Sequence, residues 1–148
     1  SIIMKGSVDA YELIKQFEGL RLEAYLCPAG IWTIGYGHTS GVSPNSFITI
    51  QEADEYLHRD VAAIEMQLNK LNLSLRQCQW DAIVSFVFNV EIGNFKASTL
   101  LAKIRINPDD NSIIDEFLRW VYANGKVMRG LQKRRLTEMK LYFSDKLK

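Results

Sequence analysis

The sequence predicts an α+β, mainly helical fold: a small α+β lobe, a long connecting helix and a larger all-helical lobe. Two short β-prone runs, Glu23-Ala24-Tyr25-Leu26 and Ile31-Trp32-Thr33-Ile34, flank Cys27-Pro28-Ala29-Gly30, a hairpin-turn tetrapeptide with Pro second and Gly fourth. Behind them Ala53, Leu57, Val61, Ile64, Leu68 and Leu71 step by three or four residues, which defines one amphipathic helix of about 20 residues. From Ser74 the chain reads as helical nearly to its end, broken at Gly93-Asn94, Asn107-Pro108 and Asn124-Gly125.

Taken in order, Asp9 followed by Glu12 is a capping-box pattern, and Leu13, Ile14 and Phe17 recur at helical spacing, so a first helix runs from about Val8 to Glu18. Gly19 closes it in a left-handed conformation. After the hairpin, Gly35 and Gly37 loosen the chain before His38, and Phe47-Ile48 adds a third short strand. Thr49-Ile50-Gln51-Glu52 is a second capping box and opens the long helix. The 148 residues form one domain, with a small lobe over about 1–50, the connecting helix over about 50–71 and the helical lobe over about 72–148. A cleft between the lobes is the expected substrate site.

Composition excludes several classes. A chain of this length buries ~68% of its unfolded surface, and 18 basic against 17 acidic residues leave no charge imbalance to drive disorder. The longest apolar stretch, Ile83-Val84-Ser85-Phe86-Val87-Phe88, falls far short of the ~20 residues that span a bilayer. Ser1-Ile2-Ile3-Met4 is too short for a signal-peptide core, so localisation is not read from this end. Two cysteines make no disulfide framework, and no Cys/His spacing suits zinc, so no metal is expected. Residues 126–148 carry eight basic and two acidic side chains, which points either to an anionic partner, nucleic acid or cell-wall polymer, or to a solvated helix face.

The candidate chemistry gathers around Glu18. It ends the first helix, Cys27 lies nine residues on at the turn, and Thr33 lies on the returning strand, so the bent chain can bring a carboxyl, a thiol and a hydroxyl to one cleft wall. A helix C-terminus disfavours a carboxylate, and desolvation by Tyr25, Trp32 and Tyr36 would add to this, leaving an acid able to protonate a leaving-group oxygen. An exposed glutamate at a helix end is the alternative. Trp80 and Trp120 fall on apolar helix faces and read as core, and Cys78 reads as a buried small hydrophobe.

Phe17-Glu18-Gly19-Leu20-Arg21-Leu22 with Ala24-Tyr25, followed by Trp32-Thr33-Ile34-Gly35-Tyr36-Gly37-His38-Thr39, resembles the active-site segment of phage-type lysozymes, the endolysins of glycoside hydrolase family 24. Phe88-Asn89, Phe95 with Ser98-Thr99-Leu100, Gly130-Leu131, Arg134-Arg135 and Glu138 extend the resemblance over nearly the whole chain. It implies a lysozyme-like fold and a muramidase that hydrolyses the β-1,4 bond between N-acetylmuramic acid and N-acetylglucosamine to lyse a phage or prophage host. It also implies Glu18 as general acid, with the residue at position 27 and Thr33 assisting the attack of water. The commonest family pattern has Asp where this chain has Cys27. A thiol of pKa ~8.5 is only slightly ionised at pH 7, so either its pKa is lowered or it acts as a nucleophile or polar anchor.

The same resemblance makes His38 and Asp60 a structural tie between hairpin and long helix, and Phe88, Asn89 and Ser98 cleft positions, where the Asn89 amide could hold an acetamido group. Arg134 or Arg135 is the guanidinium expected near Glu18, and Glu91 stands where the family often has Gly. Peptidoglycan is the implied partner of a monomer made in the host cytoplasm that acts on the wall, with no cofactor, nucleic acid or stable membrane insertion. Two other readings stay open: an amidase or peptidase with a Cys27/His38 thiolate dyad, and a wall-binding relative without hydrolysis.

Overall fold

A computed structural model describes residues 2–146 of the chain. Lys148, counted above in the basic segment, and Ser1 lie outside the described residues.

Helix α1 spans Val8–Glu18. Its N-cap is Ser7 and not the expected Asp9, because the Ser7 hydroxyl accepts the Asp9 N–H while Asp9 lies inside the first turn, where its charge suits the positive helix end. Gly19 closes the helix at φ 71 and ψ 160, positive but extended rather than compactly left-handed. Strands β1 (Arg21–Leu26) and β2 (Trp32–Gly35) pair antiparallel, with Leu26 opposite Trp32 and Tyr25 opposite Thr33. The predicted turn closes them: Gly30 N–H donates to Cys27 O at 2.8 Å and Cys27 N–H to Ile31 O at 3.0 Å. The expected third strand at Phe47-Ile48 shrinks to a single bridge between Glu23 and Phe47, because Thr49 already begins a helix cap.

Helix α2 covers Ile50–Asn69, with both capping-box hydrogen bonds of Thr49 and Glu52 at 3.0 Å. It turns Ala53, Leu57, Val61 and Leu68 into the core, as their spacing requires. Helix α3 (Gln77–Val90) is the centre of the helical lobe: residues 79–87 are all buried, since α1, α2 and the last helix surround it. The chain then breaks at Glu91 (φ 77, ψ 149) rather than at Gly93-Asn94, which lie within the short helix α4 (Ile92–Lys96).

Helices α5 (Thr99–Ile106) and α6 (Ile113–Leu118) flank the expected break at Asn107-Pro108. Asn124-Gly125 is not a gap between helices. Both residues have positive φ, 52° and 75°, and join β3 (Tyr122–Ala123) to β4 (Lys126–Val127) in a tight hairpin of the type that Asn-Gly favours. Helix α7 (Arg129–Tyr142) and a 3₁₀ turn (Ser144–Lys146) complete the lobe. Phe86 packs edge-on against Phe95, Phe117 and Trp120 at the core's centre. Among the described residues no helix is long and apolar enough to cross a membrane.

Candidate active site

Glu18 is the last residue of α1, and the hairpin folds back over it. The Cβ of any larger residue at position 37 would stand 2.7 Å from Glu18 Oε1, and Gly37 has φ +73. Gly37 therefore does more than loosen the chain, since its missing side chain and its backbone conformation together make room for the carboxyl. The other oxygen, Oε2, accepts from Arg134 Nη1 at 2.5 Å, and the Glu18 side chain keeps 21% of its surface exposed. Tyr25 lies under the Arg21 guanidinium, Tyr36 is buried near Lys15, and the group facing Glu18 is a cation.

Of the two candidate guanidiniums, the structure brings Arg134 to Glu18, and both arginines converge on one buried carboxylate, Glu138. Arg134 Nε meets Glu138 Oε2 at 3.2 Å, and Arg134 Nη2 donates to Ser85 O at 2.9 Å. The Ser85 hydroxyl donates to Glu138 Oε2 at 2.6 Å, while Arg135 Nη1 bonds Glu138 Oε1. Arg135 also donates to Trp120 O at 2.8 Å and to Asn89 Oδ1. Burial lowers the Arg135 pKa below its ordinary value and the Glu138 carboxylate opposes this, so the guanidinium keeps its charge. Ser85 is not among the expected site residues, and Glu138 enters only through the resemblance, which gives it no role. Their signals were a polar residue in the apolar run 83–88, and Glu138 three and four residues beyond two arginines on one helix.

At the far end of the hairpin, the Cys27 thiol is half-buried in its own turn. Backbone N–H groups of the turn, that of Ile31 foremost, hold its pKa below the ordinary thiol value. Thr33 is buried and donates to Ile31 O at 2.9 Å. The structure thus brings Cys27 and Thr33 together, and no hydrogen bond among the described residues joins Glu18 to either. His38 Nδ1 meets Asp60 Oδ2 at 2.8 Å and Nε2 meets Ser40 O at 2.9 Å, with the ring stacked on Tyr56. Both ring nitrogens are taken, and neither serves Cys27.

Phe88 is half-buried against the core. Ser98 caps α5, accepting the Leu101 N–H and donating to Phe95 O, so its hydroxyl is used within the fold. Asn89 and Arg135 line a cavity of about 830 Å³ together with Trp120, Tyr122 and Met128; Glu18 is not among its walls. Trp80 is fully core, whereas Trp120 is half core and half cavity wall, and Cys78 is half-buried with its thiol toward Tyr142 O at 3.6 Å.

A carboxyl oriented by a guanidinium at the mouth of a hairpin, beside a helical lobe, is the arrangement of a lysozyme-like glycoside hydrolase. The phage lysozyme family model matches residues 15–138. The endolysin of Acyrthosiphon pisum secondary endosymbiont phage 1 is 44% identical over 137 residues, covering 89% of this chain and 93% of that one. The endolysin of Bacillus phage PZA is 42% identical over 146 residues, covering 95% of this chain, which spans only 56% of that relative. The muramidase domain of SpmX from Asticaccaulis excentricus superposes with a TM-score of 0.85 at 36% identity, covering 93% of this chain and 97% of that one. The chain belongs to the phage lysozyme family. It is a glycoside hydrolase of the lysozyme type, an endolysin that acts on the bacterial cell wall.

Proposed function

We propose that the chain forms a muramidase domain that cuts the β-1,4 bond between N-acetylmuramic acid and N-acetylglucosamine in peptidoglycan, in the lysis of a phage or prophage host. It acts as a monomer after synthesis in the host cytoplasm. The observation that carries the reading is the Glu18 carboxyl, held through Oε2 by Arg134 with Oε1 against Gly37. A guanidinium only donates, so Oε2 is engaged as an acceptor and Oε1 is the oxygen left to carry a proton toward a glycosidic leaving group. Proton transfer to that oxygen breaks the bond through an oxocarbenium-like transition state, and water completes the hydrolysis. Cys27, whose turn favours the thiolate, and Thr33 beside it are the groups that would steady that charge and the water.

The engagement of both His38 nitrogens by Asp60 and Ser40 O speaks against a Cys27/His38 amidase. Mass spectrometry of digested peptidoglycan tests the whole reading: new reducing ends are expected, whereas new amino groups would mean an amidase, and no new ends a wall-binding relative. Glu18→Gln should lose at least ~10²-fold in turnover with an unchanged melting temperature, the scale of general-acid catalysis. Wall clearing within about tenfold of the parent would overturn the assignment of Glu18.

A further inference from the structure

Glu138 is fully buried on α7 between two arginines, and the acid step proposed for Glu18 makes no use of it. Its Oε2 accepts from Arg134 Nε at 3.2 Å and from the Ser85 hydroxyl at 2.6 Å, and its Oε1 accepts from Arg135 Nη1. Arg134 reaches on to Glu18 through Nη1 at 2.5 Å, so Glu18, Arg134, Glu138 and Arg135 form one chain of alternating charge. The Arg134 fork is held on a third side too, since Nη2 donates to Ser85 O at 2.9 Å. Other charged groups around Glu18 have partners of their own. Lys15 of α1 pairs with Asp54 of α2, His38 beyond β2 pairs with Asp60, Arg21 of β1 lies over Tyr25, and α3 presents the neutral Ser85.

A general acid seated on a guanidinium meets a conflict, because a neighbouring cation favours the carboxylate over the acid. We infer that Glu138 is a positioning residue that resolves this conflict: it fixes Arg134 against Glu18 and cancels one of the two interior cations, so that Glu18 keeps at neutral pH the proton that the leaving group takes. With Glu138 ionised, the three groups behind Glu18 carry a single net positive charge. Without its charge they carry two, and without Arg135 they carry none. The Glu18 carboxylate favours the charged form of Arg135 even across this chain, so the total is felt at the acid. The catalytic part of the inference rests on the muramidase reading.

The test follows kcat/KM on peptidoglycan against pH and, without substrate, the titration of the Glu18 carboxyl by carbon-13 NMR, its signal assigned by its loss in Glu18→Gln. Glu138→Gln keeps the shape and removes the charge. It should move the falling limb of the profile and the carboxyl titration down by about one pH unit, with activity at pH 7 lost about tenfold and regained at lower pH. Glu138→Asp restores the charge and should return both toward the parent. Arg135→Gln removes a cation while Glu138 stays paired with Arg134, and should move both up. A purely structural role would lower melting temperature and activity at every pH without opposed shifts. If Glu138→Gln does not fold, Arg135→Gln, which strands no buried carboxylate, decides alone. A folded variant with no shift, or one of the wrong sign, overturns the inference. No new reducing ends from the parent would overturn the muramidase reading instead, while the carboxyl titration still judges the charge balance.

Discussion

Backbone N–H groups of its own turn, that of Ile31 foremost, hold the Cys27 pKa below the ordinary thiol value with no cation beside it among the described residues. The lowered pKa places the gain of negative charge below pH 9.0, so kcat/KM should show an alkaline rise in that range that Cys27→Asp lacks. Cys27→Ala should lose about tenfold or more, and the pH dependence of alkylation by iodoacetamide reads the thiol directly. A second single-residue effect lies at Glu91. Its φ 77 and ψ 149 belong to a region that only glycine enters without a cost of ~1–3 kcal/mol, and its side chain is exposed. Part of the relief is lost to glycine's freer unfolded chain. Glu91→Gly should therefore stabilise by about 1 kcal/mol, a melting temperature some ~2–4 °C higher by calorimetry.

At the scale of elements, the chain just beyond β2 closely approaches the end of α1 at Gly37. Gly37→Ala adds both an unfavourable φ of +73 and a Cβ at 2.7 Å from Glu18 Oε1, whereas Gly41→Ala meets φ +68 but no atom within 4 Å. Each substitution should lower stability by about 1–2 kcal/mol through the backbone alone. Only Gly37→Ala should also lower activity by more than about tenfold, because it moves the carboxyl from Arg134. Equal activity in the two variants would show that the carboxyl does not depend on this approach. The His38–Asp60 contact is the second tie, fastening the chain just beyond β2 to α2.

Across the whole molecule, side chains of α2 and α3 grip the N-terminal segment. Asn69 holds both backbone groups of Met4, Gln77 takes Lys5 O, Glu65 faces the Gly6 N–H, and Asp81 accepts from Ser7. Burial, opposed by the Gly6 N–H and then by Lys5, with Asp81 nearby, raises the Glu65 pKa; Tyr11 of α1 and His58 also face it. A raised folded-state value means that the protonated form is preferred in the fold. That contribution is present below the unfolded carboxyl value and is lost as pH rises through the folded one. Glu65→Gln should thus raise the melting temperature at pH 7 and leave it nearly unchanged at pH 4. The charge map changes at this scale too. Arg134 and Arg135 are interior and Lys146, though exposed, pairs with Asp109, so among the described residues the exposed cations of the basic segment that form no ion pair are Lys126, Arg129, Lys133 and Lys140.

The fold class was legible in the sequence because its signals are local. The α2 stripe and its Thr49–Glu52 box depend on residues a few positions apart, as does the Cys27–Gly30 turn, and each formed as read. The order Glu18, Cys27, Thr33 was equally visible, as was the need for a guanidinium near Glu18. Tertiary structure decided what depends on distant partners. Ser7 became the α1 cap because Asp81, on α3, anchors it, and Asn124-Gly125 became a hairpin turn rather than a gap. The choice of Arg134 over Arg135 needed α3, since Ser85 draws one guanidinium toward Glu18 while Asn89, one helical turn on, draws the other. Adjacent residues on a helix point about 100° apart, so which one meets a partner 116 positions away in the chain is settled only when the helices pack.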